Sequence, residues 1–395
     1  LQEAAHKLDT EGLTREECIT SSIFVKREPK NANWAGQVFE PVKPRVIVSC
    51  LPKVKVALGP WCVAFSKRLA RVWDGQNVIY YESGSTQDDI SEWFNRNLLK
   101  FSERALFEDD FSSFDATHSA YSFSWVNQVY ARCGLAGLAL KVMKTQASDQ
   151  KLTARNGYKV KRPCFMKSGV PNTTIGNTLV NAAVHYSSFV EAGAKPGEDF
   201  VMMVRGDDML AFLKPKFHDK AKELVKRYGF KTKVKNGHRV WHARFCSMAF
   251  YPTREGVYVC GPTVGKCLAK FAYTVKNVPI KEQAAHRRGV ALGLLALTNH
   301  IPLLGDYVRN ELAHTSGAGG KYMRKALDEV KLKYVRGSRH EPAPDADMYV
   351  ANMYAMPVSY VHEIRALIGT MGEPGFYSSA NSVVAWQQML ALECG

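Results

Sequence analysis

Residues 201–213 read VMMVRGDDMLAFL: two apolar runs, Val201 to Val204 and Met209 to Leu213, with Gly206-Asp207-Asp208 between them. Short apolar runs flanking a Gly-Asp pair read as the two strands of a hairpin. Carboxylates at such a bend stand clear of the core on a rigid support. Far upstream, LFEDDFSSFDATHS supplies a second acidic pair, Asp110 and Asp115, on and just beyond a strand expected from Leu106 to Phe111. If that strand arrives beside the bend, its carboxylate completes a holder for two divalent cations, the usual equipment for phosphoryl transfer. Acidic pairs at turns are also commonly just solvated. The apolar flanks argue against that here, since polar tips between buried strands seldom lack partners.

Between the two acidic elements lies MKSGVPNTTIGNTLVNAAVHY, residues 166–186. Ser168-Gly169 makes a small-residue turn, Asn172-Thr173 is helix-start chemistry, and a helix is expected from Thr174 to Glu191, stopped at Gly193. Asn177 and Asn181 lie four apart, so one helix face presents amides at successive turns. Amides there can read a ribose hydroxyl; the plainer reading is a capped helix with satisfied amides.

The 395 residues exceed one comfortable core and suggest subdomains around a cleft. Hydrophobic content of 46% excludes wholesale disorder, and a net charge of +16 favours a polyanionic partner. The nine cysteines form no CxxC pair, so reduced thiols in a cytosolic setting are expected. The most apolar stretch, Val290 to Leu297, is too short to span a bilayer. The chain starts without methionine and stops at Leu392-Glu393-Cys394-Gly395, as expected of a part of something longer.

Residues 1 to about 60 are expected to be irregular around an extended run from Arg45 to Ser49. Helices are predicted at Trp61–Trp73, Asp88–Leu99, His118–Cys133, Leu138–Gln146 and Pro215–Tyr228. Hairpins are predicted about Asn156-Gly157 and from Phe245–Tyr251 to Val257–Cys260. From Lys266 the chain reads as mostly helical, with a hinge at Ser316–Gly320. Helices and antiparallel hairpins alternate without βαβ periodicity, which favours an α+β fold.

These motifs together resemble the palm of viral RNA-dependent RNA polymerases of small positive-strand RNA viruses, in particular the tombusvirus-like and nodavirus-like groups. The first palm motif is DFSSFD, Asp110 to Asp115; the second is SGVPNTTIGN, Ser168 to Asn177; the third is GDD, Gly206 to Asp208. The resemblance implies a right-hand fold with an antiparallel-sheet palm, fingers and a mostly helical thumb. Its expected boundaries are fingers 1–105, first catalytic palm element 106–133, fingers insertion 134–167, palm 168–260, and thumb with C-terminal helices 261–395.

The resemblance further implies that Asp110 and Asp207 coordinate two Mg2+ ions, with Mn2+ able to substitute and Asp208 in support. Asp115 and Asn177, with Ser168 and Thr173 nearby, would select the ribose 2′-hydroxyl. KREPK and KPRVI resemble the fingers motif, whose Lys26, Lys30 and Arg45 would embrace the triphosphate. Phe245, Cys246 and Ser247 resemble the primer-grip hairpin. A lysine of KTKVK, Lys233 or Lys235 with Lys231 competing, would be the general acid toward pyrophosphate.

Implied partners are template and product RNA, ribonucleoside triphosphates, and viral replication proteins and host membranes reached through other segments. The implied location is the host cytoplasm, in membrane-associated replication complexes. Lys53, Lys55, Lys67, Arg68 and Arg71 are candidates for a template path. Lys214, Lys216, Lys220, Lys222, Lys226 and Arg227 fit an outer helix face. Trp61, Trp73 and Trp93 are better placed in cores than as base-stacking platforms. The rival readings are a reverse transcriptase and a non-catalytic RNA-binding replication scaffold.

Overall fold

The bend expected at Gly206-Asp207 forms within a five-stranded sheet ordered 235–236, 106–110, 208–213, 200–205, 79–81. Every pairing is antiparallel except that of the edge strand Ile79–Tyr81, which runs parallel to Phe200–Arg205. Register sets Asp208 opposite Arg205 on one side and Asp110 on the other, leaving Gly206 and Asp207 as a two-residue turn. Gly206 has φ +62°, the value a type II′ turn needs at its first central position and one that glycine adopts without strain.

One sheet face packs Phe107, Met202, Val204, Met209 and Ala211 with Ala182 and Phe189 of the helix Thr173–Glu191. Each large side chain fully buried in this way contributes about 1.5–3 kcal/mol. The sheet is thereby a stiff floor under the turn.

The computed structural model describes residues 1–27, 44–236, 239–271, 277–316 and 340–370. It also describes short pieces at 33–35, 38–40, 273–275, 321, 323–324, 388–389 and 392–393. Its mixed helix-and-sheet architecture agrees with the α+β expectation. Two compact units interleave along the sequence: 1–26 with 44–83 and 101–238, and 27–43 with 84–100 and 239–395.

The first unit contains the five-stranded sheet and a four-stranded sheet ordered 46–50, 20–25, 150–154, 159–162. The second contains the hairpin Met248–Pro252/Tyr258–Pro262 and helices Gln283–Thr298, Leu304–His314, Ala346–Met353 and Val358–Thr370. Within the second unit, Phe94 stacks on Phe250, and the Asn95 side chain bonds both the N–H and the carbonyl of Tyr258. Along the chain, the first unit gives way to the second after position 238.

The opening stretch corrects the expectation of irregular chain up to about residue 60. Helices Gln2–Glu11 and Arg15–Ile19 form there, the second closed by a capping box in which Thr14 and Glu17 bond each other's backbone N–H. The long helix begins at Pro52 rather than Trp61 and runs to Val72. Its first turn, KVKV, alternates like a strand, but proline at the first helical position presets the helical φ. The predicted helix His118–Cys133 forms as Ala120–Arg132, started by Ser119 with Ser122 in a capping box, and a separate short helix, Phe114–Thr117, precedes it.

The Ser316–Gly320 hinge lies mostly outside the described residues. Among the described residues no helix is long and apolar enough to cross a membrane. The eight described cysteines are all free thiols, and burial pushes Cys62 and Cys267 up to about 12.

Candidate active site

Asp110 ends its strand directly across the ladder from Asp208, and both stand at the open end of the sheet. Asp207 sits on the turn itself with its side chain reaching solvent. The surrounding protein still raises its carboxyl above the ordinary value; the negative Asp110 pushes the same way, and Arg45 opposes. Asp115 is likewise raised, by burial first and then by Asp207, while a hydrogen bond from Asn177 and the charge of Arg45 hold it down. Asp110, Asp115, Asp207 and Arg45 thus share one electrostatic neighbourhood.

Asp208 also acts on Glu82, a buried carboxylate that the sequence reading missed and that Arg205 pairs at 2.6 Å. Nothing in the run Tyr80-Tyr81-Glu82 marks that residue in advance. Among the described residues, no three His, Cys, Asp or Glu side chains gather into a ready-made metal cage. Mg2+ seldom uses such a cage: it is held by one or two carboxylates, with substrate phosphates and water filling the rest.

The loop and helix between the acidic elements close over the same end. Gly169 lies so near the strand Val46–Cys50 that a Cβ would meet Ser49 Cα and Val48 O at 2.9 Å, so only glycine fits. Its N–H donates to Val48 O, and Ser168 Oγ accepts from Val48 N at 3.1 Å. Thr173 spends its hydroxyl proton on its own turn, reaching Lys167 O and Val170 O. Lys167 itself is buried, with Nζ on Ser21 Oγ at 3.1 Å, and burial lowers it to about 8.

Asn177 Nδ2 donates to Asp115 Oδ1 at 2.7 Å, joining the two residues expected to face the ribose. Met166 N donates to Asp115 O, which fixes the loop against the first acidic motif. Strands Thr20–Val25 and Val46–Cys50 pair so that Lys26 N meets Arg45 O, and both side chains are exposed. Lys30 lies outside the described residues.

The three competing lysines separate by register. Lys233 N donates to Asp110 O at 3.1 Å, which puts Lys233 in the row of Asp110 and Asp208. Lys235 is two residues further into the sheet, opposite Glu108, whose Oε1 its Nζ approaches at 3.5 Å. Lys231 accepts from Ser112 N through its carbonyl.

Of the candidate template residues, Lys53 is taken up by Glu11, Glu17 and the Gly12 carbonyl, whereas Lys67, Arg68 and Arg71 are exposed. Lys214 pairs Asp199 and Arg227 pairs Glu191. Trp61 stacks on Phe65 and meets Tyr130 edge-on, Trp73 packs against the core, and Trp93 is 2% exposed, as core aromatics do.

In the second unit, Phe245 and Met248 exchange both backbone hydrogen bonds around Cys246 and Ser247. These two residues have φ of +51° and +62°. Left-handed backbone at a non-glycine costs of order 1–3 kcal/mol per residue, a kind of strain that clusters at functional sites. Lys266 Nζ steadies the turn by donating to Ser247 Oγ at 2.9 Å.

Comparison with known proteins gives one consistent family. The model described as RNA dependent RNA polymerase matches residues 2–282. The RNA-directed RNA polymerase of Pariacoto virus is 21% identical over 352 residues, covering 84% of this chain and 33% of that protein. That of Pothos latent virus is 27% identical over 327 residues, 78% of this chain and 41% of that protein. That of Boolarra virus is 25% identical over 296 residues, 71% of this chain and 29% of that protein. The matched stretches therefore span 29–41% of these relatives' length.

Proposed function

Because the chain belongs to the RNA dependent RNA polymerase family, we propose that it carries out RNA-templated RNA synthesis in viral genome replication. It joins ribonucleoside triphosphates to the 3′-hydroxyl of a growing RNA strand and releases pyrophosphate. One observation carries the reading: Asp208 lies in register with Asp110 on the neighbouring strand, beside a two-residue turn whose Asp207 is repelled by the Asp110 charge. Like charges kept together on a rigid strand and turn fit a bound cation.

Asp110 and Asp207, with Asp208 beside them, would hold a pair of Mg2+ ions, which lower the pKa of the attacking hydroxyl and neutralise the leaving group. Arg45, close enough to act on both Asp115 and Asp207, would draw the triphosphate toward the turn. Asp115 and Asn177, already bonded to each other, would accept and donate at the ribose 2′-hydroxyl. Lys233 is the better candidate general acid, because its backbone shares the row of Asp110 while the Lys235 ammonium is drawn to Glu108. In this reading the five-stranded sheet is the palm, the sheet of 46–50, 20–25, 150–154 and 159–162 belongs to the fingers, and the C-terminal helices belong to a thumb.

The test is extension of a labelled primer on an RNA template by the purified chain with Mg2+, in parallel with ribo- and deoxyribonucleoside triphosphates. Extension with ribonucleotides alone is expected. Preference for deoxyribonucleotides would make it a reverse transcriptase, and RNA binding without extension would make it a scaffold.

A further inference from the structure

Under the turn runs a buried chain of hydrogen bonds that the proposed chemistry does not use. Asp109 precedes Asp110 on the strand and faces the opposite side of the sheet, where it is 1% exposed. There it meets the helix Thr173–Glu191, whose Thr178, Asn181 and His185 present side chains at successive turns, all 0% exposed. His185 Nε2 is 3.1 Å from Asp109 Oδ2, and Nδ1 is 2.8 Å from Asn181 Oδ1. Asn181 Nδ2 donates to Gly206 O at 3.1 Å and Asp208 O at 3.3 Å, while Gly206 N donates to Thr178 Oγ1 at 2.8 Å. At the other end, Asp109 Oδ1 accepts from Lys233 N at 3.0 Å.

The chain has a fixed direction. Two carbonyl oxygens face Asn181 Nδ2, so its amide cannot flip without setting oxygen against oxygen. Its Oδ1 must then face the imidazole, and the imidazole must face Asp109. A helix packed on a sheet needs no such arrangement; apolar contacts like those of Phe107 and Phe189 suffice. Here the polar chain ends on the backbones of Asp208 and Lys233, two residues of the proposed chemistry. Its middle is anchored in the residue next to Asp110.

We propose that His185, bridging Asp109 and Asn181, is a positioning residue that holds the Gly206–Asp208 turn and the Lys233 backbone at one height relative to Asp110. The carboxylates then meet a divalent cation in a single geometry. This rests on the nucleotidyl-transfer reading of the same site. Partners that orient cation ligands in this indirect way typically tune affinity or activity by about 10–100-fold.

The experiment compares wild type with His185→Leu, which fills the same space without polar atoms, and Thr178→Val, which removes one bond to the turn at nearly constant volume. Mn2+ affinity is measured by the electron paramagnetic resonance of free Mn2+, alongside the Mg2+ concentration for half-maximal primer extension and the KM for nucleotide. For His185→Leu, Mn2+ binding about tenfold or more weaker and a matching rise in the Mg2+ requirement are expected, with KM within about twofold. Thr178→Val is expected to shift both in the same direction by about threefold, and it decides the matter if His185→Leu does not fold. Folded variants that bind Mn2+ and respond to Mg2+ like wild type would overturn the proposal and leave the chain a purely structural contact. The Mn2+ arm needs no turnover, so a wild type that binds Mn2+ without extending RNA would defeat the polymerase reading alone.

Discussion

Asp109 and Asp110 are neighbours on one strand, and they belong to opposite regions of the molecule. Asp109 faces the helix side of the sheet, buried against His185 with its oxygens satisfied by an imidazole and a backbone N–H. Asp110 faces the open end with Asp207, where its charge raises the Asp207 carboxyl against the pull of Arg45. Strand alternation alone makes this division. One carboxylate is given to the fold, and in the proposed function the next is given to chemistry.

That contrast is easiest to break at its buried half. Replacing Asp109 by Ala leaves the buried His185 Nε2 without its partner and takes one of two acceptors from the Lys233 N–H, and a buried polar group left unsatisfied costs about 1–3 kcal/mol. Urea unfolding of Asp109→Ala should show a loss of that size, whereas Asp110→Asn should unfold within about 0.5 kcal/mol of wild type. Equal losses for the two would erase the distinction.

The rim between the regions is pH-sensitive in a defined direction. His118, packed against Phe114, Phe123 and Phe230, is lowered from 6.5 to about 4 by burial. The unfolded chain takes up that proton first, so stability falls as pH drops from about 6.5 toward 4. The loss attributable to His118 is roughly 3 kcal/mol. His118→Phe should flatten the pH dependence of the denaturation midpoint in that window. An unchanged slope would mean that other groups carry it.

A further expected effect lies on the open side. Asn177→Ala removes the hydrogen bond to Asp115, and a bond to a charged group is worth about 1.5–3 kcal/mol. Preference for ribo- over deoxyribonucleotides, measured as the ratio of kcat/KM values, should drop by about 10–100-fold. A loss of folding stability of the same order as that bond is expected, and an unaltered ratio would remove Asn177 from ribose selection.

How far this division can be read in the sequence depends on the element. The hairpin at 206–207, the helix after Asn172 and the strand before Asp110 are legible because their apolar periods are local and their punctuating Gly and Asn residues are unambiguous. Asp109 was legible in principle. In LFEDDF it shares the parity of Phe107 and Phe111, the core-facing residues, but three consecutive acids hide the alternation. His185 completes an i, i+4 step from Asn181, a signal that a lone buried histidine rarely carries.

Other features leave no local trace. Residues 84–100 join chain that lies beyond 238, which is a matter of long-range contact rather than composition. The left-handed backbone at Cys246 and Ser247 has no glycine or asparagine to announce it. The N-terminal helices were missed because they are short and weakly apolar, with only Ala4 buried in the first.

The most direct test is a rate cycle on one primed RNA template with saturating Mg2+, using Asp110→Asn, Asp207→Asn and the double variant. If the two carboxylates hold the same cations, each single change should cost about 10³-fold in incorporation, and the second should add no more than a few-fold, since residues acting as a unit are grossly non-additive. Losses that multiply, or a near-wild-type rate in either single variant, would contradict a shared cation site between strand and turn.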